Sequence, residues 1–198
     1  MPKQLYIDLI RSDMSDWLVH CTTSFDKLKT ILSQEALLGN NEIIKGSFNC
    51  VCFSEAPLVK IKALTLFTQN YAESIGHKLR YAPFGVAVKK QWLFEQGGRP
   101  VIYQPESDYG LLHPSQQYRH VKYDPAAGFD FTWEREWRVQ CDYLQLDPRN
   151  CTVFVESRAN LDELVEEFYR EQCDAMGEGL AYGIAIYPWG LISLEEIS

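Results

Sequence analysis

Long apolar runs are missing from this chain, and none of its hydrophobic stretches could span a bilayer. Residues 1–16 carry charges throughout and contain no apolar signal core, so a soluble, cytoplasmic protein with no membrane partner is expected. No Pro, Gly or Ser run suggests a linker, and no segment repeats another. With 198 residues, the simplest organisation is one domain over 1–198. Positive charge is scarce, with 19 Lys and Arg against 27 Asp and Glu, giving a net charge of −8 and a pI near 5.0. That balance argues against broad binding to phosphate backbones, which needs a basic surface. Lys78, Arg80, Lys89 and Lys90 nevertheless fall close in sequence and would supply a local basic patch.

Zinc-type spacing is also missing. The six cysteines are Cys21, Cys50, Cys52, Cys141, Cys151 and Cys173. Cys50 and Cys52 share a face of a strand-like run, but together with His20 and Cys21 they match no zinc pattern. Reduced, metal-free thiols are expected. What the chain does have is apolar material, 46% of residues with 13% aromatic, which is enough for a real core.

Residues 16–20 read as a first strand. Thr22, Thr23 and Ser24 are good N-cap residues, and Phe25, Leu28, Ile31 and Leu32 repeat at helical spacing up to a stop at Gly39 and Asn40. Residues 50–53 form a second compact strand. After the turn at Pro57, Leu58, Ile61, Leu64, Phe67, Tyr71 and Ile75 mark one helical face that ends at Gly76. Strands are expected at 84–88, 101–103, 131–141, 151–155 and 183–187, with a short helix over 91–95. Asn160 and Glu163 pattern as a capping box before a helix containing Leu161, Leu164, Val165 and Phe168, closed by Gly177 and Gly179. Residues 105–129 are long, polar and punctuated by Gly and Pro, the mark of a functional or mobile loop. Strands alternate with helices early and predominate later. The fold class this implies is α+β, a single domain with a curved mixed or antiparallel sheet and flanking helices.

The most informative stretch is Phe131-Thr132-Trp133-Glu134-Arg135-Glu136-Trp137-Arg138-Val139. Read as a strand, it puts Glu134, Glu136 and Arg138 on one face and Trp133, Arg135, Trp137 and Val139 on the other. The indoles should then be buried and the carboxylates face a cleft. Crowded charges are costly to bury unless they pair or bind something. Both a structural ion pair, Glu136 with Arg138 or Arg119, and a functional site fit this pattern.

Three pieces at strand edges carry a family resemblance. They are His20-Cys21-Thr22, then Cys52-Phe53-Ser54 with Thr68-Gln69-Asn70-Tyr71 on the following helix, then Glu136-Trp137. In this order they resemble the ADP-ribosyltransferase fold. Its members place His-Gly-Thr at the end of an early strand, then an Ile-Tyr-Phe-Ala strand, a Ser-x-x-Tyr helix and a catalytic Glu beginning a later strand. Phe84-Gly85-Val86-Ala87-Val88-Lys89-Lys90-Gln91-Trp92 and Arg99-Pro100-Val101-Ile102-Tyr103 resemble, more narrowly, the bacterial phage-defence abortive-infection proteins of the AbiGi type. The resemblance covers most of 17–140.

It implies NAD as substrate. His20 would bond the adenosine ribose, the Cys21 backbone would meet the nicotinamide amide, Thr68 would help hold that amide, and Tyr71 would stack on the ring. Thr22 and Ser54 belong to the same NAD-binding set. Glu136 would bind the nicotinamide-ribose hydroxyl and stabilise an oxocarbenium-like transition state. Arg80, Lys89 or Lys90 would meet the diphosphate. Three departures stand out: Cys21 replaces a frequent Gly, Cys52 stands where many members have Tyr, and the gap from Phe53 to Tyr71 is longer.

The resemblance therefore implies a transferase acting on a protein or nucleic-acid acceptor, in phage defence or a toxin–antitoxin pair with a cognate partner. The alternative is a catalytically silent relative that serves as an interaction or antitoxin protein. A nuclease holding a metal on Asp130, Glu134 and Glu136 is the weakest reading, because a convergent acid set and a basic face are missing.

Overall fold

The computed structural model describes residues 15–75, 82–176 and 186–197, with the side chains of 68–75 and 175–176 outside that description. Its spine is strand β1 (Trp17–Thr22). Helix α1 (Phe25–Gln34) follows, capped by Ser24, whose side chain accepts the Lys27 N–H. The helix stops at Glu35, in the left-handed region at φ 48, and not at Gly39. Tertiary pairing sets this end: strand β2 (Ala36–Leu38) pairs with β9 (Tyr143–Gln145), and the Glu35 carbonyl accepts the Leu146 N–H at 2.7 Å. Gly39 serves close approach instead, since a Cβ there would lie 2.0 Å from the Cys141 carbonyl oxygen.

Strand β3 (Cys50–Ser54) leads to helix α2 (Leu58–Ile75), then β4 (Phe84–Lys89) and the short helix α3 (Lys90–Glu95). The strand expected at 101–103 divides between two sheets, as β5 (Arg99–Pro100) and β6 (Ile102–Gln104). Three 3₁₀ turns and β7 (His120–Lys122), which pairs with β6, occupy most of the expected loop. Strands β8 (Glu136–Gln140) and β10 (Cys151–Val155) precede helix α4 (Arg158–Met176). Ser157 is the residue that caps α4: it bonds reciprocally with Asn160, so the box sits one turn earlier than the Asn160–Glu163 pattern suggests. The strand expected at 183–187 lies, up to residue 185, outside the described residues, as do the helix stops at Gly76, Gly177 and Gly179. The strand that follows Pro188 is β11 (Gly190–Ser193).

Seven strands form the main sheet in the order β11-β10-β4-β1-β3-β8-β5. Neighbours pair antiparallel except β10 and β11, which are parallel, so the sheet is mixed. One face packs Leu18, Val51, Phe53, Val86, Val88, Val139 and Val153 under Leu28 of α1 and Leu161 and Leu164 of α4. The other packs Val19, Ala87 and Phe154 under Ile61 of α2. The result is an α+β domain with helices on both faces of a mixed sheet. Among the described residues no helix is long and apolar enough to cross a membrane.

The stretch 131–141 departs from the strand expected there. Thr132–Glu134 is a 3₁₀ turn, with Asp130 accepting the Thr132 N–H at 3.0 Å, and Arg135 is left-handed at φ 45. Only from Glu136 onward does the chain pair with β3. Strand alternation therefore does not relate Glu134 to Glu136. Trp133, expected to be buried, is 45% exposed, while Trp137 is partly buried against the core.

Candidate functional site

The site builds outward from β3. On one side β3 pairs with β8 over five positions, from Cys50 opposite Gln140 to Ser54 opposite Glu136. On the other it meets β1 at one paired position, Val19 opposite Ser54. Beyond that position the ladder gives way, and the His20 ring turns into the gap, its Nδ1 2.9 Å from the Cys52 carbonyl oxygen. A carbonyl only accepts, so Nδ1 carries the proton and Nε2 keeps its lone pair in the neutral ring. The ring also lies 5.7 Å from that of Phe53. Burial lowers the His20 pKa, and the bond to Cys52 opposes this only in part.

Glu136 begins β8. Its side chain is 13% exposed, and Arg138, 6% exposed, grips it at two points: Nε to Oε1 at 2.7 Å and Nη2 to Oε2 at 3.2 Å. The Arg138 Nη1 donates to the carbonyls of Tyr118 at 2.7 Å and His120 at 3.1 Å. Burial disfavours the guanidinium charge, but the bonds and charge of Glu136 outweigh it and raise the Arg138 pKa. The Glu136 N–H donates to the Tyr103 hydroxyl at 3.1 Å, and that hydroxyl donates to the Phe131 carbonyl at 3.1 Å. Burial pushes the Tyr103 pKa up to about 12, so the phenol stays protonated in this role.

Cys52 lies between these groups. Its carbonyl accepts from His20, and burial, with the Glu136 charge, drives its thiol pKa far up. Cys21 packs against the Val19 cluster, its pKa pushed up to about 12 by burial and then by the Glu134 carboxylate. The turn before β8 is tied to β3 as well: the Ser54 hydroxyl donates to the Glu134 carbonyl at 2.7 Å, and the Glu55 N–H does so at 3.2 Å.

Register decides how the expected residues relate. Val19, Ser54 and Glu136 are paired across three strands and share the face that α2 covers. His20 is one residue out of phase and sides with Phe53 and Trp137. His20 bonds the Cys52 carbonyl, and the Glu136 charge acts on the Cys52 thiol. Thr22 is buried at the end of β1. Thr68 and Tyr71 lie on α2, with their side chains outside the description, and Arg80 lies outside the described residues. Neither lysine proposed for the diphosphate is idle: Lys89 donates to the Arg149 carbonyl at 2.9 Å, and Lys90 pairs with the buried Glu55. Glu55 also accepts the Trp137 indole N–H at 3.1 Å.

Sequence reasoning gave Cys52 and Tyr103 no role beyond their place in the resemblance motifs, and missed Glu55 and the carbonyls that hold Arg138. Arg138 itself was legible as a partner two residues beyond Glu136. All six cysteines are free thiols. Among the described residues no group of three or more His, Cys, Asp or Glu could hold a metal ion. A groove of about 430 Å³ lies elsewhere, between α1 and α4, and contains none of the expected site residues. Compared with family models, curated proteins and solved structures, the chain matches none.

Proposed function

We propose that this chain is an ADP-ribosyltransferase-like protein that uses NAD on a macromolecular acceptor, with Glu136 as the carboxylate that opposes positive charge on the ribose. The observation that carries the reading is the setting of Glu136. It is nearly buried at the first residue of a strand and oriented by a two-point guanidinium contact. It also stands one strand away from the place where β1 and β3 stop pairing. In the reaction the C1′–N bond breaks and its electron pair leaves with nicotinamide. The acceptor's nucleophile then bonds to C1′ and gives up its proton to solvent. A fixed carboxylate in a site poor in water lowers the energy of the cationic ribose between those events. The net charge of −8 suits a protein acceptor or a basic partner better than a phosphate backbone. The role in phage defence or a toxin–antitoxin pair rests on the sequence resemblance.

A specific observation favours a second reading, the catalytically silent relative. Both Glu136 oxygens are already engaged by Arg138, and His20 is out of phase with them. Calorimetric titration with NAD, combined with an assay for released nicotinamide, separates the two. Saturable binding with nicotinamide release supports the transferase. A folded protein that neither binds nor cleaves NAD is the silent relative.

A further inference from the structure

We propose that Arg138 is the positioning residue of this site, setting the Glu136 carboxylate and coupling it to the segment 105–123. The inference rests on the reading of Glu136 given above and extends it to a residue that would touch neither NAD nor acceptor.

Arg138 spends its donors in two directions. Nε and Nη2 hold the two oxygens of Glu136, and Nη1 holds the carbonyls of Tyr118 and His120. Those carbonyls belong to a 3₁₀ turn and to β7, both within the segment between β6 and β8. Tyr118 and His120 are themselves buried, so the carbonyls are held in place. The planar guanidinium therefore transmits the position of this segment to the carboxylate. Lysine has the charge but not the fork, and could not satisfy both sides at once.

The backbone of β8 does not depend on this contact. Glu136 N–H is held by Tyr103, the Glu136 carbonyl accepts the Val101 N–H at 2.9 Å, and Trp137 is anchored to Glu55 from the other face. Loss of Arg138 should thus free the Glu136 side chain while the strand keeps its register.

The test is Arg138→Lys, read by NAD kinetics per folded molecule and by amide hydrogen exchange. The expected result is a fall in kcat of about tenfold to a hundredfold, from a misplaced catalytic group, with the KM for NAD unchanged. Exchange over 105–123 should accelerate, while β8 stays protected. Unchanged kcat with faster exchange would make Arg138 a structural staple only and overturn the proposal, as would unchanged exchange. If Arg138→Lys does not fold, Glu136→Gln reads the same coupling by exchange over 105–123, and unchanged exchange there overturns it. A wild-type protein that releases no nicotinamide refutes the proposed activity, while the exchange arm still decides whether Arg138 joins Glu136 to the segment.

Discussion

His20 gives its Nδ1 hydrogen to the Cys52 carbonyl at 2.9 Å, filling a bonding position that the β1–β3 ladder leaves open after its one paired position. A side chain here does the work of a backbone partner, at the point where two central strands separate. The bond fixes one tautomer and holds a desolvated ring, which gives the fold a pH dependence.

Burial lowers the His20 pKa in the folded protein from the ordinary value of 6.5. As pH falls through 6.5 the unfolded chain takes up a proton that the folded chain still refuses. Stability therefore decreases with acidification, at up to roughly 1.4 kcal/mol per pH unit, and this contribution levels off below the folded pKa. Above 6.5 it vanishes. Urea unfolding at about pH 7.5 and about pH 5.5 should show a larger acid loss for wild type than for His20→Gln. Equal losses would remove His20 from this role.

The thiols should differ sharply in reactivity. Burial pushes Cys50 up to about 11 and Cys21 up to about 12, and drives Cys52 beyond both, so little thiolate exists at neutral pH. Cys173 is exposed on α4. Under native conditions a thiol reagent should label Cys173 first, and Cys173→Ser should abolish the fast phase. Rapid native labelling of Cys52 would mean that its burial is not kept in solution.

Gly85 lies opposite Cys21, and a Cβ there would come within 2.1 Å of the His20 carbonyl oxygen and 2.6 Å of the Phe154 ring. Neither a backbone carbonyl nor a buried ring can yield cheaply. Gly85→Ala should lower stability by roughly 1–3 kcal/mol, the usual range for overpacking. A neutral effect in chemical denaturation would show that β1 and β4 can separate locally.

Much of the framework is legible in the residues. The apolar runs around Val51, Val86 and Val153 mark central strands because both faces of the sheet are covered, and Ser24 announces α1 through its capping side chain. The site was less legible, for a local reason. Glu134-Arg135-Glu136 has strand-like alternation, but Asp130 caps a turn over Thr132 and the left-handed Arg135 breaks the period. Alternation was the wrong ruler for Trp133. Helix α1 ends before Gly39 because pairing of Leu37 with Leu144 outweighs the stop that Gly39 suggests. The bonds from Tyr103 and Tyr118 to the Glu136–Arg138 pair span 33 and 20 residues, beyond the reach of any local pattern.

Glu136→Gln decides whether this carboxylate acts on NAD, with nicotinamide release and melting measured on the same sample. The Arg138 contact makes some destabilisation expected whatever Glu136 does. Breaking a buried pair costs about 3–5 kcal/mol at most, and the amide retains part of the bonding. Activity per folded molecule is therefore the deciding quantity. A fall of roughly a hundredfold or more is expected, from about 3 kcal/mol of lost electrostatic stabilisation of the ribosyl cation. Wild-type turnover by a destabilised Glu136→Gln protein would contradict it and leave Glu136 as one half of a structural ion pair.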